Sequence, residues 1–175
     1  MTKTIQEKLK KVKWLILDVD GVMTDGRIIM DDQGRELKHF DVRDGHGIKL
    51  IQRYGVETAI LTGRKSKAVD FRAKDLGIKK VYQEAFNKRE VFEKILQEHR
   101  LTAKETAYVG DDIVDLPVLK RVGFSAAVAD AHETVKKHVD YVTKHRGGRG
   151  AVREICEMIL KAQGKWPEIS ARYDF

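Results

Sequence analysis

The sequence predicts an α/β domain, a parallel sheet flanked by helices. Three observations predict it. Short apolar runs alternate with amphipathic stretches along most of the 175 residues. That is the pattern of strand, helix, strand units joined by right-handed crossovers. Carboxylates, a hydroxyl and a lysine follow the apolar runs instead of interrupting them. Open α/β sheets gather their chemistry beyond the carboxyl ends of the strands. The only prolines are Pro117 and Pro167, so no Pro-rich linker divides the chain and a single domain is expected.

Ile5, Leu9 and Val12 mark a short amphipathic helix. Residues 14–19 (WLILDV) hold no polar side chain before Asp18 and read as a buried core strand. Residues 27–31 and 36–40 flank Asp32-Gln33-Gly34, a hairpin pattern. Residues 45–54 read as a helix with Ile48 and Ile51 on one face and Gly55 as its stop. Residues 56–61 form a second core strand. Residues 66–76 form a helix striped by Val69, Ala73 and Leu76 and ended by Gly77. Residues 80–82 are a short strand. In the helix at 87–100, Asn87 and Glu90 make a capping-box pattern, and Phe92, Ile95, Leu96 and His99 share a face. A strand at 106–109 runs into Gly110-Asp111-Asp112. A helix at 116–122, a strand at 125–128, a helix at 132–138 and a short strand at 141–143 follow. The helix at 151–162 faces Val152, Ile155, Ile159 and Leu160 inward. After Gly164 the chain reads as an irregular tail. Its three aromatics call for a docking surface, on this subunit or another.

Apolar residues at 42% and charged residues at 35% describe a folded, highly charged chain. The single cysteine, Cys156, excludes an internal disulfide framework and a Cys-type zinc site, and points to the cytoplasm. Its place on the apolar side of a helix marks it as a buried small hydrophobe. His46, His132, His138 and His145 lack a paired spacing with acids and are read as non-ligands. No apolar run approaches the roughly 20 residues of a membrane span. The first 13 residues carry five lysines without an apolar core and do not read as a signal peptide. The net charge of +7 suits a small anion. The basic residues are spread along the chain without interleaved aromatics, so nucleic acid is not expected.

Four successive strand ends supply chemistry to one edge. Asp18 and Asp20 follow the first core strand in D-V-D-G. Thr62, Gly63 and Arg64 follow the second. Lys88 opens the helix after the strand at 80–82. Asp111, Asp112 and Asp115 follow the strand at 106–109 in G-D-D-I-V-D. Converging carboxylates repel, and a hard divalent cation such as Mg²⁺ resolves the repulsion with oxygen ligands. Thr62 and Lys88 suit a phosphoryl dianion. An Asp beside Mg²⁺ can attack phosphorus, and a second can protonate the leaving oxygen and then activate water. Taken singly, each motif has a plain structural reading: a solvated strand-end turn for Asp18 and Asp20, a helix cap for Asp111 and Asp112, a first-turn residue for Lys88. Gly147-Gly148-Arg149-Gly150 reads equally as a loop leading into a helix and as an anion contact.

D-V-D-G, L-T-G-R, Lys88 and G-D-D-I-V-D, in that order at strand ends, resemble the four motifs of the haloacid dehalogenase superfamily of phosphatases. The likeness spans residues 14–143 and implies a Rossmann-like fold. A second layer is more specific. DVDGVMTDG (18–26), DVRDGHGIKL (41–50), LTGRKS (61–66), YVGDDIVD (108–115), VADAH (128–132) and GGRGAVRE (147–154) resemble the phosphatases of 3-deoxy-D-manno-octulosonate 8-phosphate. The resemblance implies Asp18 as the nucleophile that becomes an aspartyl-phosphate. It implies Asp20 as acid and base, with its backbone carbonyl on Mg²⁺, and Asp111 as the remaining protein ligand. Asp112 and Asp115 would anchor these. Thr62 and Lys88 would hold phosphoryl oxygens. Asp41, Val42, Arg43, Asp44, Gly45, Lys49, Arg64 and Arg72, with Asp20 and Lys88, would face the substrate, a small anionic sugar phosphate. Lys49 and Asp41 stand where the family often has Arg and Asn, and Lys lacks the bidentate grip of Arg on a carboxylate.

The gaps between the motifs leave no room for an inserted cap domain. The chain holds one hairpin and one helix between Asp20 and Thr62, and one helix and one short strand between Thr62 and Lys88. A lone hairpin is marginal in water unless paired. The family forms tetramers through such hairpins, which implies a homotetramer built through the 27–40 flap, with Arg27, Ile28 and Ile29 at the interface. The 164–175 tail would reach a neighbour's site. Three other readings stand beside this one: a phosphatase for a nine-carbon acidic sugar phosphate, an inert oligomerisation module, and a metal-dependent nuclease.

Overall fold

A computed structural model describes residues 2–174. Six parallel strands form one sheet in the order β5-β4-β1-β6-β7-β8: β1 (Trp14–Leu17), β4 (Glu57–Leu61), β5 (Lys80–Tyr82), β6 (Thr106–Gly110), β7 (Phe124–Ala127) and β8 (Tyr141–Val142). A separate antiparallel pair, β2 (Ile29–Met30) and β3 (Glu36–Leu37), makes the expected hairpin. The helices are α1 (Lys3–Lys10), α2 (Val42–Arg53), α3 (Lys67–Leu76), α4 (Lys88–Glu98), α5 (Leu116–Leu119), α6 (Glu133–Lys136), α7 (Ala151–Ala162) and α8 (Trp166–Tyr173).

The central position of β1 follows from its composition. Trp14, Leu15, Ile16 and Leu17 are all buried, as a strand covered on both faces requires. Its ladder pairs Leu17 with Ile60 of β4 and with Val109 of β6. Asp18, Thr62 and Asp111 therefore leave three adjacent strands at one edge. Leu9, Phe92, Phe124, Ile155 and Ile159, fully buried, tie α1, α4 and α7 to the sheet. At about 25 cal/mol per Å² of apolar surface removed from water, such side chains contribute roughly 1.5–3 kcal/mol each.

Several elements are shorter than the sequence expectation, the hairpin strands (expected at 27–31 and 36–40) and the helix expected at 132–138 among them, and three further differences have a clear cause. Helix α2 begins at Val42, three residues early, because Asp41 caps it: Arg43 N donates to Asp41 Oδ1 at 2.6 Å. The helix expected at 116–122 ends at Leu119, after a 3₁₀ turn at Ile113–Asp115. The 164–175 tail is helical through Tyr173. Ile169 is buried, the Lys161 ammonium lies 4.2 Å from the Trp166 ring centre, and Tyr173 Oη meets His46 Nε2 at 3.3 Å. These contacts dock residues 166–173 on the same chain. The expected role for Phe175 lies outside the described residues. No helix among the described residues is long and apolar enough to cross a membrane.

Candidate active site

A cleft of about 440 Å³ opens beyond the carboxyl ends of β1, β4 and β6. Asp18, Asp20, Thr62, Arg64, Lys88, Asp111 and Asp112 line it, with Phe86 and Val114 among the apolar residues at its wall. A larger hollow of about 530 Å³ lies among Lys10, Lys13, Gly55 and Glu105, at the opposite strand ends, away from every carboxylate of the motifs.

Asp18 is buried. Val19 N donates to its Oδ1 at 2.7 Å, and Lys88 Nζ lies 2.7 Å from its Oδ2. Lys88 also donates to Asp115 Oδ1 at 2.7 Å and to Tyr108 Oη at 3.2 Å. A lysine in the first turn of α4 faces the positive end of the helix, an unfavourable place for a cation. Burial also works against its charge, but Asp18 and Asp115 outweigh burial and hold its ammonium above the ordinary lysine range. Asp115 is fully buried and saturated. It accepts from Lys88, from Tyr108 Oη at 2.6 Å, and from the backbone N–H groups of Asp111 at 2.9 Å and Asp112 at 3.2 Å. Four acceptances exhaust a carboxylate.

Carboxylate oxygens of Asp18, Asp111 and Asp115 lie within 4.8 Å of one another. The crowding shows in their acidity. Burial first, then Asp115, pushes Asp18 up to about 6 against the pull of Lys88. Burial, Asp115, Asp18 and Asp112 push Asp111 up to about 8. A divalent cation is the group this donor set fits, since hard oxygen ligands with uncompensated negative charge are what Mg²⁺ takes. Asp115 is saturated, so Asp18 and Asp111 are the side chains free to hold it. Gly21 makes the cradle possible: its φ is +84°, and a Cβ there would stand 2.0 Å from Asp111 Oδ2.

The Asp20 carboxylate stands outside this cluster, which leaves the part expected of it at a metal to its backbone carbonyl. Its Oδ1 pairs with Lys38 Nζ, and its Oδ2 lies 3.6 Å from Arg64 Nε. Glu36 completes the cluster, 2.8 Å from Arg64 Nη2 and 3.3 Å from Lys38 Nζ. Burial raises the Glu36 carboxyl, but hydrogen bonds from Ser66, Arg64 and Lys38 outweigh it and hold it below the usual range. The hairpin is thus anchored over the site by its own charged face. Thr62 is buried in the cleft wall, its backbone fixed by Thr62 N to Tyr82 O and Ala85 N to Thr62 O.

Several residues expected to face the substrate are not brought to this cleft within one chain. Asp41 caps α2. Val42 and Arg43 are exposed beside a separate hollow with His39 and Arg149. Asp44 is buried and accepts from Gly150 N and Arg153 N, which fastens α2 to the start of α7. Gly45 lies against Arg72, and Lys49 is exposed on α2. Arg72 bridges Asp75 Oδ2 at 2.8 Å and Asp41 O at 3.1 Å, with its guanidinium 5.6 Å from the Phe40 ring centre. Gly147 packs on the backbone of Gly21, and Gly148 N donates to Val22 O, so this loop braces the turn that follows Asp18. Tyr108, Glu36 and Lys38 are site residues that the sequence motifs do not reveal. The buried tyrosine in β6 offers the clearest signal, because a buried phenol needs a partner.

The chain matches the haloacid dehalogenase-like hydrolase family over residues 78–155. It is 50% identical over 161 residues to the 3-deoxy-D-manno-octulosonate 8-phosphate phosphatase KdsC of Escherichia coli strain K12, covering 92% of this chain and 86% of that one. The crystal structure of the corresponding phosphatase from Yersinia pestis superposes with a TM-score of 0.94 at 44% identity, covering 95% of this chain and 90% of that chain. The one from Moraxella catarrhalis, solved with a magnesium ion, a phosphate ion and a KDO molecule, gives a TM-score of 0.96 at 38% identity, with 99% of each chain covered.

Proposed function

The chain belongs to the haloacid dehalogenase-like hydrolases, among the 3-deoxy-D-manno-octulosonate 8-phosphate phosphatases, and from that membership and the cleft we infer its reaction and the roles of its residues. It is a Mg²⁺-dependent phosphoric monoester hydrolase. It splits 3-deoxy-D-manno-octulosonate 8-phosphate into the free sugar acid and phosphate, a step in lipopolysaccharide precursor synthesis. The observation that carries the mechanism is the buried Asp18 carboxylate at the cleft floor, 2.7 Å from Lys88 and beside Asp111.

In the first step an Asp18 oxygen attacks phosphorus, and the bond from phosphorus to the sugar oxygen breaks. Asp20 gives that oxygen its proton. In the second step Asp20 takes a proton from water, which attacks the aspartyl-phosphate, and the Asp18 carboxylate is restored as phosphate leaves. Lys88 and Thr62 hold phosphoryl oxygens. Asp18 and Asp111, with the Asp20 backbone carbonyl, hold the cation. Bound Mg²⁺ supplies positive charge toward the non-bridging phosphoryl oxygens. Asp115 and Tyr108 keep Lys88 in place, and Asp112 turns the chain at the cleft rim. Arg64 is the cleft cation suited to the sugar carboxylate. Within one chain nothing supports a sugar contact for residues 41–45, Lys49 or Arg72.

The assembly is a homotetramer built through the hairpins. Ile28, Met30 and Leu37 expose more than half of their surface on it, and an apolar outward face on a two-stranded ribbon calls for a cover. The location is the cytoplasm, where the single cysteine stays reduced.

The test is phosphate release from 3-deoxy-D-manno-octulosonate 8-phosphate with Mg²⁺, with and without EDTA, beside a nine-carbon acidic sugar phosphate. Fast, EDTA-sensitive release from the eight-carbon acid, with a much lower kcat/KM on the longer one, is expected. The reverse preference would overturn the substrate assignment.

A further inference from the structure

Lys38 stands outside the four motifs, yet it is more thoroughly buried than the residue it serves. Its side chain is 2% exposed, against 25% for Asp20. Desolvating an ammonium costs several kcal/mol unless paired charges answer it. Here two carboxylates do, Asp20 Oδ1 and Glu36 Oε1. The arrangement is encoded by period-two alternation in and just after β3. Glu36 and Lys38 point toward the cleft, while Leu37 between them is exposed.

Asp20 needs such help. It lies in a turn beyond the end of β1, so no strand pleat fixes its side chain. Each of its oxygens faces a different cation: Lys38 from the flap, and Arg64 from the loop after β4. Rotation of the carboxylate would break one of these pairs. Accurate placement matters most for proton transfer to a leaving oxygen, where a displacement of about 1 Å can cost 100-fold.

We propose that Lys38 is the positioning residue of Asp20, so that the hairpin contributes to proton delivery as well as to assembly. The proposal rests on the reading of Asp20 as the acid. It assigns the buried ammonium a consequence that a structural tether would not have: dependence on how badly the leaving group needs a proton.

The experiment compares kcat/KM for phenyl phosphate and 4-nitrophenyl phosphate, neither of which carries a carboxylate for Lys38 to bind. This ratio reports steps up to leaving-group departure, and the nitrophenolate leaves without a proton. Lys38→Met is expected to lose about tenfold or more on phenyl phosphate relative to the nitro compound, a part of the roughly 10²- to 10⁴-fold that general acid catalysis supplies. Lys38→Arg is expected to restore most of it. Lys38→Gln runs alongside, so that a folding failure of one variant leaves the comparison intact. Asp20→Asn is the reference and must itself discriminate between the two esters. If it does, and the Lys38 variants lose equally on both esters or lose nothing, the proposal is overturned. If Asp20→Asn does not discriminate, the reading of Asp20 as the acid fails instead.

Discussion

Lys88 and Asp115 form an ion pair at 2.7 Å, with side chains 4% and 0% exposed. Removing Asp115 takes away one of the two carboxylates that balance this buried ammonium and leaves it with Asp18 alone. Asp115→Ala also takes the acceptor from the Tyr108 hydroxyl and from two backbone N–H groups. It is expected to lower stability by about 3–5 kcal/mol, the usual cost of breaking a buried pair. The urea midpoint measures it, and an unchanged midpoint would contradict the pairing.

Asp18→Asn tests chemistry with little disturbance of the fold. It keeps the shape and removes a charge that Asp115 and Asp111 repel. Phosphate release is expected to fall by about 10⁴-fold or more, the scale seen when a covalent nucleophile is lost. The melting temperature of the metal-free protein is expected to hold or rise.

Proton and cation compete for Asp111. In the metal-free protein it is held at about 8, against an ordinary 3.8. Between those values the folded chain keeps a proton that the unfolded chain has released. Its contribution to stability is complete below the lower value, falls as pH rises through the window, and is lost above about 8. Mg²⁺ requires the ionised form, so its apparent affinity rises with pH and levels near 8. Scanning calorimetry at pH 6, 7 and 8 is expected to show a Mg²⁺-induced rise in Tm that grows with pH. A constant increment would remove Asp111 from the ligand set.

Gly21→Ala places a methyl group where Asp111 Oδ2 now sits and strains a backbone at φ +84°. The expected result is a loss of Mg²⁺ affinity of about 10- to 100-fold, the range for disturbed support of a metal ligand. Isothermal titration measures it, with circular dichroism to show that the sheet persists.

Leu37→Glu puts a charge on the exposed side of the flap while leaving Glu36 and Lys38 facing the cleft. Sedimentation is expected to show a species smaller than a tetramer. An unchanged sedimentation coefficient would place the subunit interface elsewhere.

Much of this was legible in the residues. Asp18, Thr62, Lys88 and Asp111 could be placed because a parallel sheet delivers its strand ends to one edge, and the strands are plain apolar runs. Lys38 was hidden because the partners that give it a role, Asp20 and the Glu36–Arg64 pair, meet it only in the folded chain. Tyr108 sits in the run TAYVG, where an aromatic reads as packing until its phenol is seen to meet Asp115. The polar stretch at 41–45 suggested ligand contacts, yet Asp41 caps α2 and Asp44 braces α7, two structural tasks that also need carboxylates. In the tail, Pro167 stands at the start of α8, a known helix signal. The mixed aromatic and charged composition around it masked that signal.

The ladder between β1 and β6 puts Leu17 opposite Val109, one residue before Asp18 and two before Asp111. The spacing of the two free carboxylates is therefore written into the hydrogen bonds of the sheet's innermost pair of strands. A cation arriving from solution finds its seat ready-made, with no chain to rearrange around it. What the ion has to displace there, below about pH 8, is the Asp111 proton.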